Sequence, residues 1–282
     1  MITQELNVSG LSIACKIWGN PENPPILALH GWLDNANSFD PLAEYLQKNY
    51  YLIAVDLPGH GHSSHLPISS NYHFIDGVFI IIQILNALNL DKVHLLGHSM
   101  GACLASIAGG VAPERFLSLS LIEGLGPFSH PEKAACKQLS SYLYYITQEK
   151  IKKSKGYNKF EDAALARAIK GYVSLDIAKI LCQRAIEEKH GLFYWRHDRR
   201  LLGPSSLYMT ELQILSCLQQ ISAKTCLIWA SKGFSFDSNL IQGRVKAVQN
   251  LKIEHLDGGH HVHMEQPEVV GQLLADFIVR CD

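Results

Sequence analysis

Short apolar runs bounded by turn residues alternate with helix-length stretches over the first 123 residues. The runs at 11–18, 26–30, 50–56, 92–96 and 117–123 are rich in Ile, Leu and Val and read as strands. The run at 26–30, Ile-Leu-Ala-Leu-His, is continuous, which fits a strand covered on both faces. Helical stretches lie between them at 39–47, 74–88 and 102–110. Strands and helices alternating at this spacing predict a parallel sheet with right-handed crossovers.

The pattern changes after Gly124-Leu125-Gly126-Pro127. From 128 to 221 strand signals nearly vanish, and helical stretches take over at 132–149, 161–172, 175–189 and 210–218. Between the last two, the aromatic and basic stretch at 191–200 reads as a short extended piece. The α/β pattern resumes at Lys224, with strands at 225–230 and 251–256, a helix at 238–249, and a final helix opening at Pro267. The expected organisation is an α/β core of residues 1–127 and 222–282, carrying an inserted helical cap, or lid, at 128–221.

Composition narrows the class. The 282 residues are 47% hydrophobic and 18% charged, enough for one large core plus an insertion. A net charge of −1 implies no basic face, which argues against nucleic acid as a partner. Seven cysteines are scattered without a C-x-x-C pair, as expected of reduced thiols in a cytoplasmic protein. The first residues show no basic region followed by an apolar one, so no signal peptide is read. The most apolar run, at 78–85, falls far short of the roughly 18 residues a membrane span needs.

One strand end carries chemistry. Gly97-His98-Ser99-Met100-Gly101 follows the strand at 92–96 and opens the small-residue helix at 102–110. That is the strand–turn–helix setting of a G-x-S-x-G nucleophile elbow. The turn is tight enough to strain the serine, and the two glycines face neighbouring backbone, where a Cβ would clash. A serine oxygen is thereby held above the sheet edge. The same five residues also suit a Gly/Ser turn without chemistry, so the rest of the chain decides.

Three more motifs occur in order: His30-Gly31, Asp56-x-x-Gly59-x-Gly61-x-Ser63, and Gly258-Gly259-His260 with Glu265-Gln266-Pro267. With these, the chain resembles an α/β-hydrolase fold enzyme over essentially its whole length. The stretches 30–35, 195–201 and 236–238 are similar to the serine hydrolase-like subgroup. The resemblance implies a mostly parallel eight-stranded sheet with helices on both faces, an inserted cap, and a Ser-His-acid triad. Ser99 takes the nucleophile's place. A serine hydroxyl attacks poorly until a base removes its proton, and histidine titrates near neutral pH. His260 matches the family's base in the loop after the last strand. His261 and His263 are rivals, but the Gly-Gly-His spacing favours His260.

The acid departs from the family pattern. Most relatives carry an aspartate beyond the strand before the last, and here that position holds Gly233, in Trp229-Ala230-Ser231-Lys232-Gly233. Two carboxylates offer themselves. Glu123 ends the strand after the elbow strand, a rigid mount with Gly124 beside it, and is favoured. Asp237 lies in the same loop as Gly233 and is the alternative, although it also suits a helix N-cap. Glu123 equally suits an ion pair with a cap arginine.

The oxyanion donors expected are the backbone N–H groups of Met100 and Trp32. His30 is expected to orient that loop, and Asp56 to serve structurally. His98, Trp195 and Arg196 are assigned to substrate contacts, although Arg196, Asp198 and Arg199 also suit a salt-bridged cap face. His60, His62 and His65 have near metal-like spacing, but no cysteine or carboxylate pattern accompanies them, so no metal or cofactor is expected.

The expected function is a serine hydrolase that cleaves a carboxylic ester of a small or medium acyl group, not a large lipid droplet, through an acyl-enzyme. Relatives that dehalogenate haloalkanes or open epoxides need an aspartate where Ser99 stands. Carbon–carbon, thioester and amide hydrolysis and perhydrolysis use the same triad and stay open. So does a weakly catalytic ligand-binding protein, which the missing acid at 233 supports. The expected partner is a small acyl molecule; the oligomeric state is not legible.

Overall fold

The computed structural model describes residues 1–147, 156–235 and 237–281. The expected helix end at 148–149 and Phe236 of the 236–238 stretch lie outside the described residues. The strands of the main sheet are β1 (Ile2–Val8), β2 (Leu11–Trp18), β3 (Pro25–Leu29), β4 (Tyr51–Val55), β5 (Val93–His98) and β6 (Phe116–Ile122). After an insertion, which contains the small hairpin β7 (Ile186–Lys189) and β8 (Leu192–Trp195), β9 (Lys224–Lys232) and β10 (Leu251–Gly259) complete it. Their order is β1-β2-β4-β3-β5-β6-β9-β10. The pairs β1/β2 and β2/β4 are antiparallel and the others parallel.

Side chains alternate across the sheet, so each strand feeds two cores. In β3, Leu27 and Leu29 face one layer while Ile26 and Ala28 face the other. The first layer is built on α2 (Phe74–Ala87) and α3 (Met100–Val111), with α7 (Glu211–Leu218) and α8 (Ser238–Ala247). The second is built on α1 (Asp40–Leu46) and α10 (Pro267–Ile278), with α9 (Val262–Glu265) ahead of α10. This is the α/β-hydrolase sheet, with helices on both faces.

Between β6 and β9 the described chain leaves the sheet as α4 (Ala135–Thr147), α5 (Phe160–Gly171) and α6 (Leu175–Ala185), followed by the β7–β8 hairpin and α7. Three hydrogen-bonded contacts fasten α6 to the core. Arg184 Nε donates to Asp56 Oδ2 at 2.7 Å, Asn35 Nδ2 to Leu181 O at 2.9 Å, and Asn37 Nδ2 to Ile180 O at 2.9 Å.

The structure departs from the sequence reading at three places. β1 carries no strand signal in the sequence, because Thr3, Gln4, Glu5 and Asn7 give it the polar look of an edge strand. The helix expected to run to residue 189 stops at Ala185, where the chain turns into β7 and pairs with β8. The short α9 follows the histidine loop directly.

Candidate active site

The elbow forms as its sterics require. Ser99 sits between β5 and α3 at φ 51°, ψ −113°, in the left-handed half of backbone space that L-residues avoid. Its N–H donates to Ile122 O at 2.8 Å, and its carbonyl accepts from Cys103 N at 2.9 Å. A Cβ on Gly97 would overlap the Gly101 carbonyl, and one on Gly101 would overlap the Leu29 carbonyl. Both positions therefore admit only glycine, and the strain at Ser99 is held by the packed strand and helix on either side.

Three side chains meet above the sheet. Ser99 Oγ lies 2.8 Å from His260 Nε2, and His260 Nδ1 lies 3.1 Å from Glu123 Oε2. With Nδ1 donating to the carboxylate, Nε2 is free to accept the serine proton. His260 arrives on the loop after β10. Glu123 follows the last residue of β6 at φ 56°, a second left-handed residue, and is 1% exposed. Burying a carboxylate is costly unless donors surround it. Here Oε1 accepts from Ala230 N at 2.7 Å and Oε2 from Phe234 N at 2.8 Å, both from the end of β9 and the loop beyond it.

Gly233 lies between those two amides. A Cβ there would overlap the Glu123 carboxylate. The position where most relatives carry their acid is thus empty of side chain because a carboxylate from the neighbouring strand fills the space. Asp237, the alternative acid, instead caps α8, with Oδ1 accepting from Asn239 N at 2.9 Å and Leu240 N at 3.2 Å.

The site opens into a chamber of about 1690 Å³, with Trp32, Ser99, Met100, Glu123, Asp237 and His260 among its lining residues. The indole Nε1 of Trp32 donates to Leu201 O at 3.2 Å. Burial pushes the Cys103 thiol, also in the chamber, up to about 12, so it is no rival nucleophile at neutral pH.

Three residues assigned to substrate contacts sit elsewhere. His98 is fully buried behind the loop and donates from Nε2 to His260 O at 2.8 Å, because β5 alternation turns it away from the chamber. Trp195, on β8, packs with Ala163, Cys182 and Ile186. Arg196 reaches back to Ile186 O at 3.4 Å and faces Glu187 at 3.9 Å. Asp198 pairs with Arg200 and accepts from Tyr72 at 2.9 Å.

The other histidines are placed by hydrogen bonding. His30 accepts from Leu57 N at 3.0 Å and contacts Gly31 O at 2.7 Å, and burial lowers it to about 4. His60 packs against the His30 ring, and His65 reaches Arg196 O at 2.8 Å. Among the described residues, the one group of three potential metal-ligand side chains with donor atoms within 4.8 Å is Asp34, His98 and His261, outside that loop. This buried cluster, with Arg167 beside it, had no spacing signal in the sequence. Asp34 and Arg167 are 133 positions apart.

Comparison with known proteins agrees with this architecture. The alpha/beta hydrolase fold family matches residues 24–267. A serine hydrolase-like protein of Dictyostelium discoideum is 33% identical over 96% of this chain and 79% of its own. A monoacylglycerol lipase of Bos taurus is 27% identical over 92% of this chain and 77% of its own. The crystal structure of a hypothetical protein from Pseudomonas aeruginosa superposes with a TM-score of 0.94 at 31% identity, covering 99% of both chains. The chain therefore belongs to the alpha/beta hydrolase fold family, in its serine hydrolase-like subgroup.

Proposed function

We propose that the protein is a serine hydrolase that cleaves a carboxylic ester of a small or medium acyl group through an acyl-enzyme. One observation carries the reading: a strained, chamber-facing Ser99 Oγ lies 2.8 Å from His260 Nε2, whose other nitrogen faces the buried Glu123. Ser99 Oγ bonds to the carbonyl carbon while His260 Nε2 takes the hydroxyl proton. Glu123 holds the Nδ1–H tautomer and stabilises the imidazolium. The backbone N–H groups of Met100 and Trp32 receive the oxyanion, a contribution of roughly 3 kcal/mol per donor at the transition state. His260 then protonates the leaving alcohol, and a water activated by the same nitrogen releases the carboxylic acid.

Residues 128–221 act as a cap over the core of residues 1–127 and 222–282, shielding the acyl-enzyme from bulk water. The lipase activity in the name of the Bos taurus relative favours an ester. The reading as a weakly catalytic receptor rested on Gly233, whose side-chain space the Glu123 carboxylate takes. Seven cysteines scattered along the chain without a C-x-x-C pair favour a reducing, cytoplasmic setting. No described helix is long and apolar enough to cross a membrane.

Fluorophosphonate labelling and p-nitrophenyl ester hydrolysis test the reading together. Both are expected in the wild type and absent in Ser99→Ala. Hydrolysis that survives Ser99→Ala would sink it. A parallel panel of thioesters, amides and esters of graded acyl length separates the other chemistries open to this triad.

A further inference from the structure

The turn after β3 carries a buried carboxylate that the reaction does not consume. Asp34 is 3% exposed, and its N–H closes a turn onto Gly31 O at 3.1 Å, with Leu33 at φ 61°. Trp32 stands at the tip of that turn. Asp34 Oδ1 accepts from Arg167 Nη2 on α5. Oδ2 accepts from His261 Nε2 at 3.0 Å and faces His98 Nδ1 at 3.7 Å.

His98 precedes Ser99, and His261 follows His260. His98 also donates to the His260 carbonyl. One carboxylate therefore touches the neighbours of both the nucleophile and the base, and sits in the turn that carries Trp32. Its charge needs a partner, because removing one member of a buried ion pair leaves the other uncompensated. Burial works to raise the Asp34 carboxyl, but His261, Arg167 and His98 outweigh it and hold it well below the usual range. Arg167 is the fixed cation of the set, and it comes from the inserted segment while lining the chamber.

We propose that Asp34 is a positioning residue: through Arg167 it couples the seating of α5 to the placement of His260 and of the turn bearing Trp32. The proposal rests on the Ser99–His260–Glu123 reading for its catalytic meaning. The contacts that fasten α6, at Asn35, Asn37 and Asp56, run to Leu181, Ile180 and Arg184 instead. The Arg167–Asp34 pair thus links an inserted helix to the histidine loop by charge, whereas α6 meets Met264, beyond that loop, by apolar packing. With α5 seated, Asp34 is neutralised by Arg167 and pins His261. With α5 lifted, a buried anion is left uncompensated beside His98 and His261, no longer oriented by Arg167.

The test uses ¹⁵N-histidine NMR of the whole protein, which reads His260 whether or not an ester turns over. The groups facing His260 are Glu123, His98, His261 and the Phe234 ring, with Ser99 on Nε2 and His263 behind His98. Arg167→Gln strands the Asp34 anion, so the His260 titration midpoint should rise. Asp34→Asn strands the Arg167 cation, so it should fall. Arg167→Lys, which keeps the charge, should restore the wild-type midpoint. On a short p-nitrophenyl ester, Arg167→Gln and Asp34→Asn should lower kcat at least tenfold with KM within about twofold. Asn37→Ala, which removes the α6 contact and an acceptor for Lys16 Nζ but leaves Asp34 and its partners in place, should change neither quantity.

If Asp34→Asn fails to fold, the pair Arg167→Gln and Arg167→Lys still decides. Unchanged His260 signals and midpoint in Arg167→Gln would overturn the proposal, as would equal midpoint shifts in Asn37→Ala. A wild type without Ser99-dependent labelling would instead sink the hydrolase reading, while the NMR arm still judges the coupling.

Discussion

The carboxylate of Glu123 occupies the space in which a side chain on Gly233 would stand. The two residues are 110 positions apart and exclude each other sterically. An acid on β6 and a glycine after β9 are thus one feature. Gly233→Ala should push Glu123 away from His260 and lower kcat by at least tenfold, with little change in KM. Steady-state kinetics on a p-nitrophenyl ester checks this. An unchanged kcat would mean that the carboxylate is not held where the reaction needs it.

The two candidate acids separate cleanly by substitution. Glu123→Gln leaves the geometry but removes the anion, and should cost on the order of 10⁴ in kcat, as the loss of a triad carboxylate does. Asp237→Asn keeps a side chain able to cap α8 and should leave kcat within threefold. Asp237→Ala should cost about 1 kcal/mol of stability through the lost cap. Chemical denaturation measures the second effect independently of the first.

The attachment of α6 depends on a buried ion pair. Arg184 and Asp56 are almost fully enclosed, and Asp56 also accepts from Ala36 N at 2.8 Å and His62 N at 2.7 Å. Arg184→Met removes the cation and leaves the carboxylate buried, which should destabilise the protein by about 3–5 kcal/mol. A urea unfolding curve with an unchanged midpoint would refute this.

Acid sensitivity should begin well above the carboxylate range. Burial lowers His30 to about 4 and His60 and His263 to about 3, against about 6.5 for a free histidine. Between these values the unfolded chain binds protons that the native state refuses. Stability therefore falls as pH drops below about 6.5, by about 1.4 kcal/mol per pH unit for each histidine that stays neutral. Denaturation midpoints compared at pH 7.5, 6 and 5 check the sign. A midpoint that holds steady to pH 5 would contradict it.

Local sequence rules reach some of this architecture and miss the rest for physical reasons. The elbow at Ser99 is legible because tight turns leave few residue choices, and β3 because a strand buried on both faces is continuously apolar. Glu123 was legible as a candidate because it ends a strand, whereas the reason for Gly233 was not, since it depends on β6 and β9 lying side by side. β1 was hidden by its polar edge, and β7 by a helix pattern that runs past Ala185. His98 read as a chamber residue because it adjoins Ser99, yet strand alternation turns it into the interior. The Asp34–Arg167 pair had no local signature at all, since chain separation carries no trace of contact.

The central claim is that Ser99 carries the acyl group during turnover. Intact-protein and peptide mass spectrometry of enzyme quenched during p-nitrophenyl acetate hydrolysis tests it most directly. One acetyl group on Ser99, absent in Ser99→Ala together with turnover, is the expected result. Turnover that persists in Ser99→Ala, or an acetyl group carried on another residue during turnover, would contradict it.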